Sequence, residues 1–166
     1  MKRIVLITII SIISSVALFA QNAEEIKVKI EQMNKVYSQA MIENDFEKMM
    51  SLYTDDVISL PSYQPMIRGI EKIRELSDIQ FNSGWKTNQF DLNTTDVFVS
   101  GNLAIEIGNY AMKMSGPDVS EWSDYGKYIT IWEIQKDGSL KIKIETWNPD
   151  SYPFDQGEEV NEEEQE

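Results

Sequence analysis

Apolar residues recur at helical spacing early in the chain. Ile26, Ile30, Met33, Tyr37, Ala40 and Met41 fall on one stripe, which predicts a helix of about twenty residues with a single buried face. Asn44 and Asp45 end it, and Asp45 is placed to cap a short second helix over 46–53 with Glu47 in its first turn. Thr54-Asp55-Asp56 reads as a turn before a short strand over 57–60. Pro61 and Pro65 bracket a loop, and Gly69 leads into a third helix over 70–81 with Ile70, Ile73 and Leu76 facing inward. From Trp85 the period changes to two. Phe90, Leu92 and Thr94 alternate, then Val97 and Val99 do so out of phase, so a bulge is expected near Thr94-Thr95. Long strands follow over 103–115, 122–135 and 140–148, the last two joined by the hairpin signal Asp137-Gly138. Helices first and long antiparallel strands after them predict an α+β domain with the helices on one face of a curved sheet.

The two ends of the chain read differently. Lys2-Arg3, an apolar run from Ile4 to Phe19 and the small Ala20 before Gln21 form the pattern of a secretory signal peptide over residues 1–20, with cleavage after Ala17 the alternative. The run is shorter than the roughly 20 residues a membrane-spanning helix needs. A secreted or periplasmic location is expected, with no membrane association once the signal is removed. Residues 155–166 carry seven acids, no base and one aliphatic residue, Val160. Such a segment cannot bury enough apolar surface to offset its ordering entropy, so it is expected to be a disordered acidic tail. Residues 21–154 remain as the domain.

Composition narrows the chemistry. The chain contains neither histidine nor cysteine, which excludes disulfides, thiolate nucleophiles, Cys/His zinc sites and imidazole acid–base catalysis. Proton transfer falls to Asp, Glu, Tyr or Lys. A formal net charge of −13 repels phosphate backbones, so nucleic acid is not an expected partner. Asp55-Asp56 reads as a solvated turn rather than a metal site, and no metal or cofactor is assigned.

Several segments in this order resemble the NTF2-like superfamily, nearest its SnoaL-like (DUF4440) branch. They are Glu43-Asn44-Asp45-Phe46, Leu52-Tyr53-Thr54-Asp55-Asp56-Val57, Ile67-Arg68-Gly69, Gly126-Lys127-Tyr128 and Glu145-Thr146-Trp147-Asn148-Pro149-Asp150. The resemblance runs from about Ile26 to Asp150. It implies a cone, three N-terminal helices packed on a strongly curved antiparallel sheet, with a pocket at the wide end and homodimers through the outer sheet face. Relatives include ketosteroid isomerases, dehydratases, cyclases and non-catalytic binding proteins. Against the isomerase pattern, Tyr37 and Asp45 keep the expected spacing, Pro61 falls where the catalytic base would stand, and Thr130 falls near the second oxyanion donor.

The resemblance also assigns faces. Tyr128, Thr130, Trp132 and Ile134 would line the cone. On the last strand Glu145 and Trp147 would point inside, leaving Leu140, Ile142 and Ile144 outside, although pattern alone would put those aliphatic residues in the core. Trp132 and Trp147 are candidate pocket walls or plain core. Tyr37 and Tyr128 are candidate hydrogen-bond donors to a ligand or core residues, and Tyr53 and Tyr110 join them as candidate ligand contacts. Glu145 and Glu106 are the candidate proton carriers. Glu145 is alternatively, and first, expected in an ion pair with Lys127 or Lys143. The leading expectation is an exported protein that binds a small apolar molecule in an aromatic-lined cone. The alternative is a lyase or isomerase in which a buried Glu moves a proton and a Tyr stabilises an oxyanion.

Overall fold

The computed structural model describes residues 2–151, and within them the side chains of all but residues 2–22 and 80. The acidic tail lies outside the described residues. The first helix, α1 (Lys2–Glu43), runs through the segment read as a signal peptide and into the amphipathic stripe without a break. Asn44, at φ 56°, ends it in the left-handed conformation that asparagine tolerates. Asp45 caps α2 (Phe46–Met50) by accepting a hydrogen bond from the Lys48 backbone N–H at 3.0 Å.

The chain then enters β1 (Tyr53–Leu60), so Thr54, Asp55 and Asp56 belong to a strand and not to the expected turn. Short β2 (Ile67–Arg68) and α3 (Ile70–Phe81) follow, then β3 (Lys86–Ser100), β4 (Leu103–Gly116), β5 (Val119–Ile134) and β6 (Leu140–Pro149). The strands form one six-stranded sheet in the order β2-β1-β6-β5-β4-β3. It is antiparallel except where β1 runs parallel to β6. That parallel pair is available because α3 and four strands intervene, enough chain for a crossover. Among the described side chains of α3 only Ile73 is fully buried; Leu76, expected inside, is exposed.

α1 lies across the concave face, chiefly over β3, while α3 packs on β1, β2 and α2 and leaves the far strands uncovered. The expected bulge is present, with the β3–β4 register shifting between Thr94 and Asp96.

A second bulge settles the faces of β6. Trp132 pairs with Ile142, but Ile131 pairs with Ile144 and Thr130 with Glu145, so the register slips by one at Lys143. Side chains alternate across a strand, and one extra residue reverses the alternation. Leu140 and Ile142 therefore point into the core, at 3% and 4% exposure, and Glu145 and Trp147 point to the same concave side. The expectation that Leu140 and Ile142 lie outside is corrected; only Ile144 does. On β5 the inner face is Tyr128, Thr130, Trp132 and Ile134, as read from the sequence.

Candidate functional site

The concave surface divides into a sealed half and an open half. In the sealed half Glu106 has no accessible surface and Trp132 is 1% exposed. Both Glu106 oxygens are occupied. Oε1 accepts from Asn34 Nδ2 at 2.6 Å, Thr94 Oγ1 at 2.7 Å and the Tyr128 hydroxyl at 2.7 Å, and Oε2 accepts from Trp132 Nε1 at 2.8 Å. A buried carboxylate is tolerated when donors replace its water, and here three elements (α1, β3 and β5) converge on β4 to supply them. The Tyr128 phenol is pushed up by burial first and then by the adjacent Glu106 charge.

This network needs a glycine. Gly108 pairs with Tyr128 across the β4–β5 ladder. A Cβ there would stand 2.5 Å from the Tyr128 ring and 2.6 Å from the Asn93 carbonyl oxygen. The bare backbone lets the tyrosine lie flat over it and reach Glu106. The same device repeats two pairs along the ladder on the same face, where Tyr110 lies over Gly126 and donates to Asp124 Oδ2 at 2.8 Å.

In the open half Tyr37, Phe90, Met112, Glu145 and Trp147 stand on the concave side yet keep accessible surface. Tyr53 and Ser59 of β1 donate to Glu145, at 3.1 Å on Oε2 and 2.8 Å on Oε1. Tyr37 sits 3.2 Å from the Tyr53 oxygen. The Tyr53 hydrogen is spent on Glu145, so Tyr37 must donate to Tyr53. The polarity of the chain is therefore fixed, from Tyr37 to Tyr53 to Glu145. Burial pushes the Glu145 carboxyl up from its ordinary range, with the two hydroxyl donors opposing. It pushes the Tyr37 and Tyr53 phenols up as well, the nearby Glu145 charge adding to the effect.

Among the described residues no cation pairs with Glu145. Lys127 pairs with Asp150 and Lys143 with Asp56, so the expected ion pair with either lysine is corrected. The β6 bulge is the reason, because it turns Lys143 to the far side of the sheet from Glu145. Glu106 is corrected too, as a proton carrier, since it is enclosed by four donors. Trp132 and Tyr128 serve that enclosure and do not line open space.

Where α1 ends, a groove of about 550 Å³ runs beside Met41, Asn44, Phe81, Trp85 and Thr87. Met41 is one helical turn beyond Tyr37, so the groove adjoins the open half.

The chain's relatives are now informative. A SnoaL-like domain profile matches residues 30–118, more than half of the chain. The chain belongs to the SnoaL-like family. Among curated proteins none matches. Solved structures share the fold. An NTF2-like superfamily protein from Salmonella enterica serovar Typhimurium superposes at TM-score 0.68 with 13% identity, covering 81% of this chain and 98% of that one. A ketosteroid isomerase-like protein from Erwinia carotovora atroseptica gives 0.66 with 15% identity, covering 75% and 96%. An NTF2-like protein of unknown function from Shewanella oneidensis gives 0.59 with 13% identity, covering 73% and 97%.

In this SnoaL-like chain the position matching the isomerase base is Pro61, which is buried and carries no titratable group. Thr130 stands between the two carboxylates. Sequence reasoning missed Asn34, Thr94 and Ser59. Asn34 did carry a signal, being a polar residue on the side of α1 that also presents Ile30 and Tyr37. Thr94 and Ser59 carried none, because only the register shows what their hydroxyls meet.

Proposed function

We propose that this SnoaL-like protein is an exported small-molecule-binding protein whose ligand occupies the open half of the cone, anchored by Glu145. One observation carries the reading: a half-buried carboxylate, met only by neutral hydroxyls, faces aromatic side chains that remain accessible. Binding sites of this kind are mostly apolar with few polar groups, and an unpaired buried carboxylate is costly unless a ligand completes it. Tyr37, Tyr53 and Trp147 are the ligand contacts, and Tyr110 borders them on β4. Export rests on residues 1–20, and the mature N-terminus is then Gln21 or, with cleavage after Ala17, Leu18.

The test is a thermal-shift screen of the mature protein against hydrophobic metabolites. A ligand present at 100 times its dissociation constant stabilises by about 2.7 kcal/mol, and Trp147→Ala should lose that gain. A screen in which nothing raises the melting temperature defeats the reading.

The raised carboxyl of Glu145 favours a second reading, a lyase or isomerase in which Glu145 carries the proton. It ranks below binding because the phenols of Tyr37, Tyr53 and Tyr128 are already donating to protein acceptors. Deuterium exchange at the α-carbon of a ketone probe, abolished by Glu145→Gln, would promote it.

The partner we propose for the convex face is a second copy of the chain. Phe98, Ile105, Ile131, Ile144 and Ile58 form one cross-strand row from β3 to β1 on the side away from the helices. Phe98 is 56% exposed, and neighbouring Ile129 is 41% exposed. Apolar surface of that extent is normally covered.

A further inference from the structure

We infer that the ligand of this cone is a small organic cation, an ammonium on an apolar or aromatic body, with the ammonium set against Glu145 beside the rings of Tyr37, Phe90 and Trp147. The inference rests on the binding reading above and names its ligand class.

Charge placement is the first argument. Among the described residues, the inward positions of β3 to β6 carry Glu106, Asp124 and Glu145 and no Lys or Arg; Asp124 is met by the Tyr110 hydroxyl. The bases of these strands are turned outward and occupied: Lys113 on Glu121, Lys127 on Asp150, Lys143 on Asp56, and Lys141 on the Ser51 carbonyl. Lys86 stands exposed at the groove rim. On α3, Arg74 is held by Glu47 at 2.6 Å. The open half therefore presents negative charge with no positive partner, inside a chain of net charge −13 that draws cations toward it.

Hydrogen-bond polarity is the second. A carboxylate offers about four acceptor positions, and Ser59 and Tyr53 use one on each oxygen of Glu145. Because Tyr37 donates inward to Tyr53, its oxygen faces outward as an acceptor. The carboxylate and the Tyr37 oxygen thus present acceptors, beside the neutral donors of Thr130 and Trp147, and acceptors next to a negative charge suit an ammonium with three N–H groups. The aromatic faces add cation–π attraction.

The groups facing Glu145 are Tyr37 from α1, Tyr53 and Ser59 from β1, and Thr130 from β5, with Glu106 beyond it on β4. Glu145 is the titrating member of this set. Cation binding should therefore tighten as pH rises through the Glu145 carboxyl, whereas a neutral ligand bonded by the protonated carboxyl would weaken.

The experiment measures binding of 2-phenylethylammonium, its neutral counterpart 2-phenylethanol and the anion 3-phenylpropionate to the full chain, by calorimetry and tryptophan fluorescence. The expected result is at least tenfold tighter binding of the ammonium than of the alcohol at neutral pH, growing with pH and shrinking with added salt. Glu145→Gln should abolish that preference, so that ammonium and alcohol bind the variant equally. The pH and salt series on the unaltered protein decide the matter even if the variant folds poorly. Alcohol binding as tight as ammonium binding, or a preference that survives Glu145→Gln, overturns the cation and leaves the small-molecule site standing. Failure of all three probes overturns the cation, and failure of the wider metabolite screen as well overturns the site.

Discussion

Glu106 and Glu145 lie in one cross-strand row of the concave face, with only Thr130 between them. At about 4.8 Å per strand their backbones are about 10 Å apart, yet their environments are opposite. Glu106 is sealed by four donors from side chains on three other elements, while Glu145 meets two hydroxyls and keeps accessible surface. One carboxylate fastens the helix to the sheet, and the other faces the opening.

Glu106→Gln should destabilise the protein by about 3 kcal/mol, measured as the shift in urea midpoint with an unchanged slope. An amide can accept on one side only, so either Trp132 or the Asn34–Thr94–Tyr128 group loses its acceptor, and breaking a buried charged network costs about that much. Trp132→Phe should cost about 1–2 kcal/mol by removing one donor. A loss below 0.5 kcal/mol for Glu106→Gln would show that the network is not holding the fold.

Gly108→Ala should cost at least about 2 kcal/mol, because the new methyl occupies the space of the Tyr128 ring. The Tyr128–Glu106 hydrogen bond should break with it. The Tyr128→Phe background should recover little of the loss, since the ring carbon Cζ and the Asn93 carbonyl oxygen, which both remain, meet the methyl about as closely as the hydroxyl does. Thermal denaturation of the two single variants and the double variant measures this coupling.

The pH dependence of stability follows from the raised Glu145 carboxyl. Between its unfolded and folded titration ranges the native state holds more protons, so stability falls as pH rises through that window and levels off above it. Glu145→Gln removes the titration, so the difference between variant and native stability should move in the variant's favour from pH 4 to pH 8. Urea melts at the two pH values check the sign.

On the outer face, Ile131→Glu should leave the fold intact and convert a dimer to a monomer, read by light scattering across a concentration series. Ile131 sits mid-row between Ile105 and Ile144, so a charge there stands at the centre of the proposed interface. A native chain that is monomeric at high concentration removes the dimer.

Local chemistry wrote a good part of this protein into its sequence. The helical stripe of α1, the Asp45 cap, the α3 limits and the Thr94 bulge each depend on neighbours within a turn or a strand, so spacing reveals them. The α+β class follows from their order. The inner face of β5 came from the family resemblance, since alternation alone fits either face. The tertiary structure decided the rest. Ile142 and Glu145 share the concave side only because the ladder with β5 slips at Lys143, and single-strand alternation cannot show a slip. Glu106 became the pin, and Glu145 the open group, through partners 12 to 92 residues away in the chain. Which carboxylate keeps its water is set by what folds over it, and that is a property of the assembled sheet.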